Sequence, residues 1–121
     1  MAKILIVEDN IDLSSIYKSE LEYNGYIVDV LLSGAGVIEK IKEFEPDMIL
    51  LDIMLPDADG LDILQAVKEE YSFAKIKVII MSNIDAPAVV NRAYTLKADG
   101  YLIKSMLLPS QLTDEVKSFL T

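Results

Sequence analysis

Cysteine and histidine are both absent from this chain of 121 residues. Without cysteine there is no disulfide, no thiol nucleophile and no thiolate metal site. Without histidine there is no imidazole to act as general base, metal ligand or phosphoryl carrier. Any phosphohistidine chemistry must be supplied by another protein. Cations are scarce as well: 11 Lys and Arg face 20 Asp and Glu, for a net charge of −9. That balance argues against direct nucleic-acid binding by this domain, because a phosphate backbone is gripped by excess positive charge. Its plainest consequence is solubility. No apolar run approaches the ~20 residues of a membrane span, and the N-terminus has no signal-peptide pattern. A cytoplasmic protein with no membrane partner is expected. Charge blocks and low-complexity tracts are also missing, and 52% of the residues are apolar. That composition excludes disorder and predicts one domain spanning residues 1–121 with a real core.

What is present is an alternation of apolar strands and amphipathic helices. Strands are predicted at about 3–8, 27–32, 47–52, 77–81 and 101–103. Helices are predicted at about 11–24, 35–44, 60–71, 87–97 and from Pro109 onward. The first should bury Leu13, Ile16, Tyr17 and Leu21, the second Val37, Ile38, Ile41 and Phe44. The third should bury Leu61, Leu64, Val67 and Tyr71, and the last Leu112, Val116, Phe119 and Leu120. Asn10 is a natural N-cap, Asn24-Gly25 a stop signal, and Glu45-Pro46 a helix breaker. Five βα units imply a doubly wound α/β fold with a parallel five-stranded sheet. The element count fits the flavodoxin-like order 2-1-3-4-5.

Carboxylates end two of the most apolar strands. Lys3-Ile4-Leu5-Ile6-Val7 runs into Glu8-Asp9, and Met48-Ile49-Leu50-Leu51 runs into Asp52. In this strand order those ends are neighbours, and Ser82 and Lys104 follow at the ends of the next two strands. Three carboxylates at one edge repel each other unless a cation is shared. Oxygen ligands at the mouth of such a sheet suit Mg²⁺, with Mn²⁺ as a substitute, and hence phosphate chemistry.

At this point the chain resembles the receiver domains of two-component response regulators. The segments that carry the resemblance are Val7-Glu8-Asp9-Asn10, Leu51-Asp52-Ile53-Met54-Leu55-Pro56 with Asp59-Gly60, Ile80-Met81-Ser82, and Asp99-Gly100-Tyr101-Leu102-Ile103-Lys104. The resemblance implies that Asp52 accepts a phosphoryl group from a sensor histidine kinase or a histidine phosphotransfer protein. It implies a metal held by Glu8, Asp9, Asp52 and the backbone carbonyl of Met54. Lys104 would pair with a phosphoryl oxygen, and Ser82 would donate to another. Tyr101 would swing between outward and inward rotamers, remodelling the helix 4–strand 5–helix 5 face for a downstream effector or a homodimer. Such a protein is not an enzyme beyond its own phosphorylation and slow dephosphorylation. Each residue also has a plainer reading. Asp9 and Asp59 could be helix caps, Lys104 a solvated lysine, Ser82 a loop start and Tyr101 an edge-strand aromatic.

Departures from the family pattern are as informative. Ser105 follows Lys104 where receivers usually carry proline after a cis bond. A cis bond to a non-proline residue costs ~3–4 kcal/mol, so a trans bond is expected. Asn83 stands where a small residue is usual and could narrow access to the site. Met54 and Ile84, each two residues past a site residue, are apolar and cannot orient an attacking water. A long-lived phosphoryl group is the expectation. Two other readings remain: a pseudo-receiver scaffold that is never phosphorylated, and a phosphatase of the haloacid-dehalogenase type. The latter needs an aspartate two residues after its nucleophile, where this chain has Met54. The last helix carries only Lys117 as a cation, so a charge-laddered dimer face looks incomplete. A chain closing on that helix suits a stand-alone receiver, or one separated from its effector domain.

Overall fold

Two of the predicted strands, β1 (Lys3–Val7) and β3 (Met48–Leu51), lie at the centre of the sheet because both of their faces are apolar. In the computed structural model, which describes Met1–Thr121, Ile4 to Val7 and all of β3 are buried. β4 (Lys77–Ser82) is interior as well, and β2 (Ile27–Leu31) and β5 (Gly100–Ile103) form the two edges. All pair in parallel, in the order β2-β1-β3-β4-β5. This is the flavodoxin-like doubly wound topology that the alternation predicts.

Side chains along each strand alternate between the two faces, so the core is split in two. Leu5, Val7, Ile49, Leu51, Val78 and Ile80 pack with residues of α2 (Val37–Phe44), α3 (Gly60–Glu69) and α4 (Pro87–Thr95). Ile4, Ile6, Met48, Leu50, Ile79 and Met81 pack with Tyr17 and Leu21 of α1 (Ile11–Tyr23) and Leu112 and Val116 of α5 (Pro109–Leu120). No helix is long and apolar enough to cross a membrane.

Two expected core residues lie on the surface. Ile16 is 49% exposed. At 3.6 residues per turn it stands about 100° around the helix from Tyr17, and Ser14 completes the buried stripe instead. Ser14 satisfies its hydroxyl by donating to the Ile11 carbonyl at 3.0 Å. Tyr71 is 92% exposed because α3 ends at Glu69, two residues before it. Glu70 turns extended, and a single 3₁₀ turn, Tyr71–Phe73, buries Phe73 in that place.

Asp29 of β2 forms an ion pair with Lys40 of α2. The Lys40 hydrogen bond holds the Asp29 carboxyl below its ordinary value of 3.8, against a smaller rise from burial. A depressed carboxyl contributes stability that is present above the ordinary value and lost as pH falls through the folded one. Wild type should therefore exceed Asp29→Asn in urea midpoint at neutral pH. That margin should begin to shrink as pH falls past 3.8 and be gone below the lower folded value, as a midpoint-against-pH series would show.

Candidate functional site

β1 and β3 deliver the acids. The Asp52 amide donates to the Val7 carbonyl at 3.0 Å, continuing the β1–β3 ladder one step past β3. Asp52 therefore emerges beside Glu8 and Asp9. Oxygens from these three carboxylates all lie within 4.8 Å of one another. Glu8 and Asp52 are buried, whereas Asp9 is exposed at the rim. Asn10 starts α1 immediately after them: its Oδ1 accepts from the Leu13 amide at 3.0 Å. Its own amide donates to Glu8 Oε2 at 3.1 Å, which aims that carboxylate.

The loop after β3 is held close. Gly60, the first residue of α3, leaves no room for a side chain: a Cβ there would lie 2.0 Å from the Asp52 carbonyl oxygen. Asp59 caps α3, accepting from the Leu61 amide at 2.9 Å, so the plainer reading describes this residue. Met54 is 69% exposed in the loop, and its amide donates to Asp52 Oδ1 at 3.3 Å.

β5 supplies the cation. Lys104 Nζ pairs with both Glu8 and Asp52, the latter at 2.8 Å, and its side chain is largely buried. Sequence reasoning set this lysine against a phosphoryl oxygen; here its partners are the carboxylates themselves. Burial depresses the Lys104 ammonium, but its bonds to Asp52 and Glu8 outweigh that and hold it above the ordinary lysine value. Burial pushes the Glu8 carboxyl up, with Lys104 opposing. Three carboxyl groups around one ammonium form a cluster compatible with a divalent cation. The donor set is all oxygen, with no nitrogen or sulfur ligand, which fits Mg²⁺ and similar hard cations.

Ser82 ends β4 and is buried. Its Oγ accepts from the Ile84 amide at 3.0 Å. The Tyr101 hydroxyl donates to the Ile84 carbonyl at 2.6 Å, so this ring lies inward and half-buried. Burial raises its phenol above the ordinary tyrosine value. The Lys104–Ser105 bond is trans, as expected for a non-proline residue. The Ser105 amide donates to Asn83 Oδ1 at 2.8 Å, a contact that nothing local in the sequence announces. Tyr17, read as a core residue, also lies close enough to feel the charges of Lys104, Glu8 and Asp52.

Comparison with known proteins gives a consistent result. The family described as "Response regulator receiver domain" matches residues 4–117. The chain is 31% identical to the chemotaxis protein CheY of Halobacterium salinarum, covering 100% of this chain and 99% of that protein. It is 34% identical over 106 residues to the transcriptional regulatory protein TrcR of Mycobacterium tuberculosis. That match covers 88% of this chain but spans only 40% of TrcR. Among solved structures, the BeF3-activated DrrB receiver domain superposes with a TM-score of 0.87 at 28% identity, covering 99% of this chain and 97% of that one. Matched along nearly its whole length, and carrying the fold those proteins share, this chain belongs to the response regulator receiver domains of two-component signalling systems.

Proposed function

We propose that residues 1–121 act as one phosphorylation-controlled signalling domain in the cytoplasm, with Asp52 as phosphoacceptor. The observation that carries the reading is the buried cluster of Glu8, Asp52 and Lys104, in which the reacting carboxylate already faces its counter-charge. An Asp52 oxygen attacks the phosphorus of a partner's phosphohistidine, the P–N bond breaks, and its electron pair leaves with the imidazole. A new acyl phosphate remains on Asp52. The protein holding the donor is a sensor histidine kinase or a histidine phosphotransfer protein, since this chain has no histidine.

Glu8, Asp9, Asp52 and the Met54 carbonyl would hold Mg²⁺, which neutralises charge between the carboxylate and the incoming phosphoryl group. Lys104 then exchanges a carboxylate partner for a phosphoryl oxygen as a compact point charge. Ser82 reaches the phosphoryl group by turning its hydroxyl from the Ile84 amide. That releases Ile84, to which the Tyr101 hydroxyl is also tied. The three residues thus link the site to the α4–β5–α5 face, where an effector or a second copy would bind. The BeF3-activated state described for the DrrB receiver is in keeping with acceptance of a small anionic group.

The test is incubation with acetyl phosphate and Mg²⁺, followed by intact-mass measurement and peptide mapping. One phosphoryl group on Asp52 is expected. No incorporation would leave a scaffold, and repeated turnover of phosphate esters would indicate a hydrolase. Divalent-ion binding has its own readout: Mg²⁺ should raise Tm in wild type, by mass action on the folded state. The rise should shrink in Asp9→Asn, which loses a ligand at an exposed position.

A further inference from the structure

The loops after β4 and β5 each begin beside a residue of the candidate site, Ser82 or Lys104, and one hydrogen bond joins them. Asn83 directly follows Ser82, and Ser105 directly follows Lys104. The last rung between the two strands pairs Ser82 with Ile103. Beyond it the Ser105 amide donates to Asn83 Oδ1 at 2.8 Å, so a side chain extends the pairing past its backbone end. Both partners are needed by type: asparagine offers a carbonyl on a short side chain, and any residue but proline at 105 keeps its N–H. The neighbouring residue is tied to the same strand, through the Tyr101 hydroxyl on the Ile84 carbonyl at 2.6 Å. Two successive residues of the β4–α4 loop are therefore anchored to β5 and the turn that follows it.

We propose that Asn83 is a positioning residue whose bond to the Ser105 amide sets the separation between the Ser82 hydroxyl and the Lys104 ammonium. A phosphoryl group on Asp52 is then held from both sides and lost slowly. This rests on the reading of Asp52 as phosphoacceptor. The Ser105 side chain is exposed and takes no part; only its amide does.

Three variants separate the bond from side-chain bulk. Asn83→Ala removes the acceptor and the bulk, Asn83→Leu removes the acceptor but keeps the bulk, and Ser105→Ala keeps the donor. After labelling with acetyl phosphate and Mg²⁺, Asn83→Ala and Asn83→Leu should each shorten the phosphoryl half-life about twofold to fivefold, the lower range for one hydrogen bond exposed to water. Ser105→Ala should match wild type, because the amide that donates is kept. An Asn83→Leu half-life equal to that of wild type, or a Ser105→Ala half-life as short as that of Asn83→Ala, would overturn the proposal. Hydrogen exchange in unphosphorylated protein gives a second readout: the Ser105 amide should be slowed in wild type and fast in Asn83→Ala. Fast exchange in wild type would also overturn it. If no protein takes label, the Asp52 reading fails and the proposed role falls with it. A protected Ser105 amide would then show that the bond itself stands.

Discussion

Asp52→Asn should abolish phosphoryl incorporation from acetyl phosphate, by at least about a thousandfold, while leaving the protein folded. An amide oxygen has nearly the shape of a carboxylate oxygen but is a far weaker nucleophile, so the substitution removes reactivity rather than packing. Its effect on stability is expected to be small, because two changes oppose. Lys104 loses one partner but keeps Glu8. Glu8 loses a like charge that helps to raise its pKa. Incorporation is read by intact mass and folding by Tm without added metal, where wild type and variant should lie within a few degrees. An Asp52→Asn protein labelled as readily as wild type would remove the basis of the proposed function.

The second large effect concerns how long the phosphoryl group survives. Water attacking the phosphorus of an acyl phosphate reacts faster when a side chain orients it and takes its proton. This protein presents Met54 and Ile84 near the site, and neither can accept a hydrogen bond strongly. Wild-type label should therefore persist well beyond seconds. Met54→Asn should speed its loss by about tenfold to a hundredfold, at or below the lower end of what a positioned polar group contributes. Met54 is the better position for this test. At 69% exposure it can change at little cost in stability. Ile84 packs against the core and is bound at both its amide and its carbonyl. A time course of label loss with Mg²⁺ present decides the matter, and wild-type decay within seconds would contradict it.

The order of elements, the parallel sheet and the strand ends that carry Glu8, Asp9, Asp52, Ser82 and Lys104 are all legible in the chain. Apolar runs of strand length and helical repeats are local signals, and a βαβ crossover has a preferred hand. Capping was legible for the same reason: Asn10 and Asp59 act on amides two or three residues away. Burial at the edges of the helices was not. Whether Ile16 or Ser14 completes a stripe depends on where α1 rests on the sheet, and Tyr71 lost its place when the backbone left the helix at Glu70.

Sequence alone determined which chemical groups this protein possesses, and at the end of which strand each one sits. Pairing among them was decided by tertiary structure. Lys104 meets Glu8 across 96 residues and Asp52 across 52, while the Ser105 amide finds Asn83 across 22. Such bonds depend on strand register and on loop paths to within about an ångström, since a hydrogen bond weakens steeply outside its narrow range of distance and angle. Local composition sets neither quantity; packing of the two half-cores against the sheet does.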